Sequence, residues 1–365
     1  MRELSVTSSA GAGAARVRKS TIQLSDGREL IYFDDREPFL SGSANRTETD
    51  TRGLEPLDTL SEIRVDVLTG EYVAMAAHRM NRTYLPPANE NPLAPTRPGE
   101  PPTEIPAPDY DVVVFENRFP TFSGGVGRCE VVCFTSDPHK SFATLSERRA
   151  RTVIEAWADR TEVLSALPGT RQVVPFENRG EEIGVTLTHP HGQIYAYPYL
   201  PPRTQALVRQ AGEHRAATGG SLLADVLADE RRARVRMVLR GQRWSAYVPR
   251  AAKWPLELML APHRDVPDLA ALTEDERAEL AVVYLDLLRR VDRFFPGVAR
   301  TPYIAAWHQA PVGEDHELGR LHMQLFSLMR APGRMKFLAG SESAMGAWIN
   351  DTTPERIAAR LREVA

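Results

Sequence analysis

Thr188-His189-Pro190-His191-Gly192-Gln193-Ile194-Tyr195 sets two imidazoles two residues apart, with a proline between them and a glycine after the second. Side chains of an extended segment alternate between faces, so His189 and His191 point the same way. Pro190 fixes φ and removes an N–H, which limits how the chain moves here. Gly192 leaves space for a bulky group to approach the second imidazole, and Gln193 adds an amide donor nearby. A histidine that attacks phosphorus needs one ring nitrogen free and the other anchored by an acceptor, so that its tautomer is fixed. An isolated His-x-His is more commonly a hydrogen-bonded pair at a strand end. The loop upstream, Phe176-Glu177-Asn178-Arg179-Gly180-Glu181-Glu182-Ile183-Gly184-Val185-Thr186, favours the phosphate reading, because its glycines and polar groups offer backbone N–H and side-chain donors to an anion. Transfer at phosphorus spreads charge over equatorial oxygens and depends on positioned donors.

Working outward, residues 1–20 read as a mobile tail. Strand pairs flank the turns Asp26-Gly27 and Thr69-Gly70. Residues 86–108 are too rich in proline for a helix or a central strand and are expected to wrap the surface. From residue 111 the pattern becomes strand, strand, helix, strand, with helical spacing over residues 145–167. Two helices over residues 204–217 and 222–232 and a further hairpin follow. Residues 258–272 then echo residues 131–145: a strand, a Pro-His pair and a turn into a helix. His139 is matched with His263, and His191 with His322. The second copy reads Arg320-Leu321-His322-Met323-Gln324, without the proline or the glycine, so only the first half looks built for chemistry. The fold class expected is α+β, an internal duplication whose two halves share a mainly antiparallel sheet flanked by helices. The segments expected are 1–60 as an N-terminal extension, 61–203 as the half with the active-site histidine, and 204–365 as the second half.

The 365 residues carry a net charge of −3, with 42% hydrophobic and 25% charged residues. That balance is ordinary for a globular protein and offers no basic field for nucleic acid or anionic membrane. No apolar run of about 18 residues and no signal-peptide pattern is present, so a cytoplasmic protein is expected. Cys129 and Cys133, in an apparent strand, read as packed thiols.

The stretch Phe176 to Pro198 resembles the galactose-1-phosphate uridylyltransferases, a branch of the histidine triad superfamily. The similarity extends from about residue 63 onward and includes Ala77-His78-Arg79, Trp254-Pro255-Leu256-Glu257, Ala306-Trp307-His308 and Lys336-Phe337. It implies two fused triad-like halves and a ping-pong exchange of UMP between UDP-glucose and galactose-1-phosphate. His191 would be the nucleophile, the His189 carbonyl would orient its ring, and Gln193 would donate to a phosphate oxygen. Arg79 and Arg82 match phosphate-contacting arginines, and Asn117 and Phe119 match a uridine-binding loop. Asn178, Gly184 and Thr186 match the sugar-phosphate side. Lys336 and Glu342 match positions that reach the hexose from the neighbouring subunit of a homodimer.

Departures from the family pattern bear on metals and specificity. His139 and His189 match two ligands of a zinc site, but the cysteine pair is replaced by Asn91-Pro92-Leu93-Ala94. No cofactor is therefore required and no tightly bound zinc is expected, with Asp137 or water supporting His189. His308 and His322 match an outer iron site whose other positions are Leu207 and Gln324, so that site is expected to be absent. Arg118 stands where an aspartate often contacts ribose, and Trp348 where a glutamine often contacts sugar. The alternatives are a related phosphorylase or nucleotidylyltransferase acting on a dinucleoside polyphosphate or another nucleotide sugar, and a non-catalytic nucleotide-binding protein.

Overall fold

Alternating apolar strands organise the chain into one broad sheet, seen in a computed structural model that describes residues 17–56, 61–81, 85–87, 90–123 and 125–365. Of the tail expected over residues 1–20, residues 1–16 lie outside the described residues, while residues 18–20 already belong to a strand. Strands β1 (Arg18–Gln23) and β2 (Glu29–Asp34) form the first hairpin. Gly27 in its turn takes φ of +82°, a conformation that other residues adopt only with strain. Strands β3 (Glu62–Val65) and β4 (Tyr72–Met75) make a separate ribbon. There follow β5 (Val112–Glu116), β6 (Arg128–Cys133), α1 (Glu147–Ser165), β7 (Gln172–Arg179) and β8 (His191–Tyr197). Helices α2 (Pro202–Thr218) and α3 (Leu222–Ala233) lead into β9 (Met237–Arg240), β10 (Trp244–Tyr247) and β11 (Leu256–Pro262). Helix α4 (Glu274–Asp292), β12 (Tyr303–His308) and β13 (His322–Ser327) complete the second half. The C-terminal region holds β14 (Met329–Ala331), β15 (Arg334–Met335), the one-turn α5 (Gly340–Ser343) and α6 (Pro354–Glu363).

Eleven strands lie in the order β1-β2-β5-β6-β8-β7-β12-β13-β11-β10-β9. Counted outward from the β7–β12 seam the two halves repeat one order, β7-β8-β6 on one side and β12-β13-β11 on the other, with β1 an additional edge strand. The duplication expected from the sequence is therefore one sheet folded about a pseudo-dyad. The register refines it. Val131 lies opposite Gln193, and Met259 lies opposite Gln324. His322 is thus the counterpart of His191, but His263 is the counterpart of Thr135 rather than of His139, because the two Pro-His pairs are four residues out of step once the strands are aligned.

The 19-residue helices α1 and α4 pack side by side on one face of the sheet. Each begins at a hydroxyl cap, Ser146 receiving the Arg149 N–H and Thr273 the Glu276 N–H. Their buried stripes meet Phe134, Phe142, Trp157, Tyr284 and Trp307 in the largest core. The opposite face is covered differently in the two halves. Leu93, Ile105, Ala107 and Tyr110 of the proline-rich segment pack on β2, β5 and β6, whereas Leu227 of α3 packs on Met237, Tyr247, Met259 and Ala261. That asymmetry positions the site.

Candidate active site

Strand β8 opens at His191, whose backbone lies opposite Cys133 of β6, and Gln193 lies between Val131 and Phe176. Alternation sends His191, Gln193 and Tyr195 to the face away from α1. Gly192 points the other way. A Cβ there would meet the Phe176 carbonyl oxygen at 2.8 Å and the Phe134 ring at 2.9 Å. Gly192 is therefore required by packing behind the strand, which corrects the expectation that it clears space beside the imidazole.

His191 Nδ1 donates to the His189 carbonyl at 2.7 Å, since a carbonyl only accepts. Burial lowers its pKa, so the ring is neutral near pH 7 and Nε2 carries a lone pair. No hydrogen-bond partner of Nε2 occurs among the described residues. The ring lines two cavities. One of about 410 Å³ also takes in Gln193, Asn178, Gly184, Thr186, Asn117, Phe119 and Arg79. The other, about 390 Å³, is lined by His189 and His191 together with Lys140, Arg179 and Arg300. An imidazole between two polar cavities, with one nitrogen locked and the other open, can form and release a bond to a group held in either.

Local hydrogen bonds set the walls. Asn117 Oδ1 accepts the Phe119 N–H at 2.8 Å, a turn that shapes the loop after β5. Arg79 donates to the Phe119 carbonyl at 3.0 Å and to Thr121 Oγ1 at 2.8 Å, so it ties this loop down as well as lining the cavity. Gly184, at φ +82°, ends a 3₁₀ turn over Glu181–Ile183 and brings the chain back to Thr186. Arg82 lies outside the described residues. Lys336 and Glu342 do not enter either cavity. They form a buried ion pair at 2.7 Å, Lys336 also donating to the Lys253 carbonyl at 2.9 Å. The hydrogen bond from Lys336 holds the Glu342 carboxyl at about 2. A direct contact of either with a hexose would first require this pair to open. Trp348 packs on Trp254 and Lys253, away from both cavities.

His189 is gripped on both ring nitrogens. Nε2 donates to the Thr135 carbonyl at 2.8 Å, with the Tyr110 hydroxyl also at 2.8 Å. The Tyr110 hydroxyl in turn donates to the Leu93 carbonyl. Nδ1 must then be the acceptor, and it receives the Asn91 side-chain amide at 2.9 Å. Burial depresses the His189 pKa to about 4, consistent with this neutral tautomer. Asp137 accepts the His139 N–H instead and makes no hydrogen bond to His189, which corrects the expectation of an Asp137 support. The lone pair a metal would need is already engaged, the exposed His139 makes no contact with His189, and the neighbouring Cys133 thiol, hydrogen-bonded to Tyr110, is kept protonated by burial. Among the described residues no group of three or more His, Cys, Asp or Glu could hold a metal. The outer site fits no better: His308 and His322 stack at 4.8 Å, and Gln324 donates to Glu257 at 2.6 Å. Cys129 and Cys133 are buried thiols, Cys129 pushed up to about 11 by burial.

Sequence reasoning missed Asn91, noted only as a lost cysteine, and Tyr110, which sits 79 residues from His189 with no spacing pattern to link them. It also missed Glu104, a wall of the larger cavity.

Residues 121–201 match the N-terminal domain of the galactose-1-phosphate uridyl transferase family, and residues 207–365 match its C-terminal domain. A galactose-1-phosphate uridylyltransferase of Streptomyces lividans is 48% identical over 357 residues, covering 96% of this chain and 98% of its own. One of Thermotoga maritima is 30% identical over 83% of this chain and 98% of its own. A solved uridylyltransferase structure superposes with a TM-score of 0.73 at 30% identity, over 83% of this chain and 98% of that one. An ADP-glucose phosphorylase of Arabidopsis thaliana, at 19% identity and a TM-score of 0.65 over 84% of this chain and 99% of that one, shares the fold. With both domains matched in order and nearly the whole length aligned at 48% identity, the chain belongs to the galactose-1-phosphate uridylyltransferase family.

Proposed function

We propose that this protein exchanges UMP between UDP-glucose and galactose-1-phosphate through a covalent uridylyl-His191 intermediate. The observation that carries this reading is the locked Nδ1–H of His191, which leaves Nε2 open to the cavities on either side. Nε2 attacks the α-phosphorus of UDP-glucose, the P–N bond forms, and the bond to the bridging oxygen breaks to release glucose-1-phosphate. The imidazolium that results keeps its Nδ1–H on the His189 carbonyl, whose partial negative charge stabilises it. A phosphate oxygen of galactose-1-phosphate then attacks the same phosphorus, the P–N bond breaks, and UDP-galactose leaves with the ring neutral again. Gln193, which makes no hydrogen bond to a described residue, donates to a non-bridging oxygen as charge develops there.

Incubation with UDP-glucose without acceptor should add the mass of one UMP to the intact chain, and galactose-1-phosphate should remove it. Absence of the adduct, with turnover of another nucleotide, would overturn the uridylyl assignment. We further infer that the reaction needs no metal, because Asn91 and Tyr110 occupy the positions around His189 that ligands would take. Chelation should leave turnover and Tm unchanged, and a loss of either would refute this.

We infer a cytoplasmic homodimer. No helix of the described residues is long and apolar enough to cross a membrane, both thiols are unpaired, and sugar phosphates are intracellular metabolites. Phe337 and Met345 are 87% and 79% exposed on the segment that the Lys336–Glu342 pair braces. Val67 and Leu68 on the β3–β4 ribbon are each 91% exposed. Apolar surface of this kind calls for a partner, here a second copy. Light scattering should give twice the chain mass, and Phe337→Asp should shift it toward the monomer.

A further inference from the structure

A groove of about 870 Å³ lies between the edge strand β9 and helix α6, and none of the residues lining it lines either cavity beside His191. Its walls carry Arg240 of β9, Arg290 of α4 and Arg356, Arg360 and Arg362 of α6, against one carboxylate side chain, Glu363. Guanidiniums stay charged throughout the physiological pH range. On a chain whose net charge is −3, such a groove is a local concentration of positive charge. Arg356 and Arg360 stand one turn apart on the same face of α6, a like-charged spacing that weakens a helix.

Part of this charge is used within the fold. Arg360 donates from Nε to the Phe294 carbonyl at 3.1 Å and from Nη1 to Glu363 at 2.8 Å, which ties α6 to the end of α4. Arg362 donates from Nη1 to the Met237 carbonyl at 2.6 Å and so covers the start of the β9 edge. The other donors are unused. Arg290 is only 8% exposed. Its Nε donates to Asp286 at 2.7 Å, and its Nη1 reaches the Val238 and Leu361 carbonyls only at 3.4 Å. Its Nη2 has no partner among the described residues. The same holds for Nε and Nη2 of Arg362 and for the guanidiniums of Arg240 and Arg356. A buried guanidinium with an open donor is destabilising until an acceptor completes it. Donors brought together from a strand and two helices suit an anion with several charged oxygens, because the planar guanidinium fork matches phosphate. A single phosphate would fill a small part of a groove whose volume lies in the range of whole small-molecule sites.

We propose that the groove between β9 and α6 is a binding site for a small polyphosphate anion, either a nucleoside triphosphate or an inorganic polyphosphate chain, held by Arg240, Arg290, Arg356 and Arg362. The anion bridges α4, α6 and β9, and its charge offsets the repulsion among the arginines. The site is separate from the uridylyl chemistry at His191 and does not depend on it.

Calorimetric titration of the full chain with inorganic tripolyphosphate, and separately with ATP, tests the site. The wild type should bind tripolyphosphate in the groove with an affinity that falls as salt rises, and the ligand should raise its Tm. Arg356→Glu should weaken binding by about tenfold or more, the loss expected for a charge-assisted hydrogen bond, and should abolish most of the Tm rise. Arg290→Met, which removes the buried donors and keeps the bulk of the stem, should weaken it by at least as much. Arg356 is exposed, so its variant folds even where Arg290→Met proves unstable. Tighter binding of ATP than of tripolyphosphate assigns the groove to a nucleotide, and equal or weaker binding assigns it to the phosphate chain alone. No binding by the wild type, or binding that a folded Arg356→Glu variant leaves unchanged, would overturn the proposal. UMP adduct formation from UDP-glucose should be the same in Arg356→Glu as in the wild type. That readout belongs to the nucleophile, so its failure in the wild type sinks the functional reading and leaves the groove standing.

Discussion

Strands β8 and β13 are the same device put to two ends. Each begins with a histidine whose Nδ1 donates to the carbonyl two residues earlier, His191 to His189 at 2.7 Å and His322 to Arg320 at 2.8 Å. Each carries a glutamine two residues on. The residues that precede them also correspond. His189 bonds the Thr135 carbonyl, and Arg320 bonds the carbonyl of the equivalent His263 at 3.0 Å. The halves part company in what covers the strand. Over β8 lies the proline-rich segment, which stands off far enough to leave cavities on either side of His191. Over the second half lie α2 and α3. There His308 stacks on His322, and Gln324 is taken up by Glu257. A tautomer-locked imidazole becomes a reagent only where something leaves space in front of it.

The sharpest way to break this comparison is to exchange the two histidines for inert residues. His191→Ala should lower turnover by about 10⁴-fold or more, as expected for removing a covalent nucleophile. His322→Gln should leave turnover within about threefold, because nothing binds against it. Steady-state rates with UDP-glucose and galactose-1-phosphate decide the matter, and equal losses would show that the second half takes part in the chemistry.

Next come the residues behind the histidines, Gly192 and Met323. Met323→Ala opens a cavity in the core beside Leu321 and Leu325 and should cost about 2–5 kcal/mol. Gly192→Ala pushes a methyl against the Phe176 carbonyl and the Phe134 ring and should cost about 1–3 kcal/mol. Denaturant midpoints measure both. A neutral Gly192→Ala would mean that Phe134 moves aside freely.

Asn91→Ala removes the donor to His189 Nδ1, a grip with no counterpart at Arg320. We expect kcat to fall about tenfold with KM nearly unchanged, as for a group that only orients the nucleophile. An equal rise in KM would make Asn91 a binding residue instead.

The remaining effect is on acid stability and shows only below neutral pH. Burial depresses His189 and His322 to about 4 from an ordinary 6.5. The unfolded chain binds protons first as pH falls, so the stability these rings contribute is complete above pH 6.5 and lost as pH falls through 4, by about 3 kcal/mol for each ring. His322→Gln should flatten the fall in unfolding free energy over that window by its share. An unchanged slope would show that His322 is not kept neutral by the fold.

Much of this was legible in the chain. The Asp26-Gly27 turn, the helical spacing of residues 145–167 and the echo of residues 131–145 in residues 258–272 are local or periodic signals, and each corresponds to an element of the structure. The equation of His139 with His263 failed because matching by residue type ignored strand register, which is set by pairing across the sheet. Asn91, Tyr110 and Glu104 were invisible for the same kind of reason. They come from an irregular segment without periodicity, and they acquire meaning only through what they touch 98, 79 and 76 residues away in the chain.

By itself the sequence determined the duplicated strand–helix pattern and the face shared by His191 and Gln193, because alternation and helical spacing are properties of the chain alone. The tertiary structure decided which histidine stands open, what holds His189 in the absence of thiolates, and that the N-terminal hairpin ends at a cavity wall. Those depend on contacts between segments distant in sequence, which no local pattern encodes.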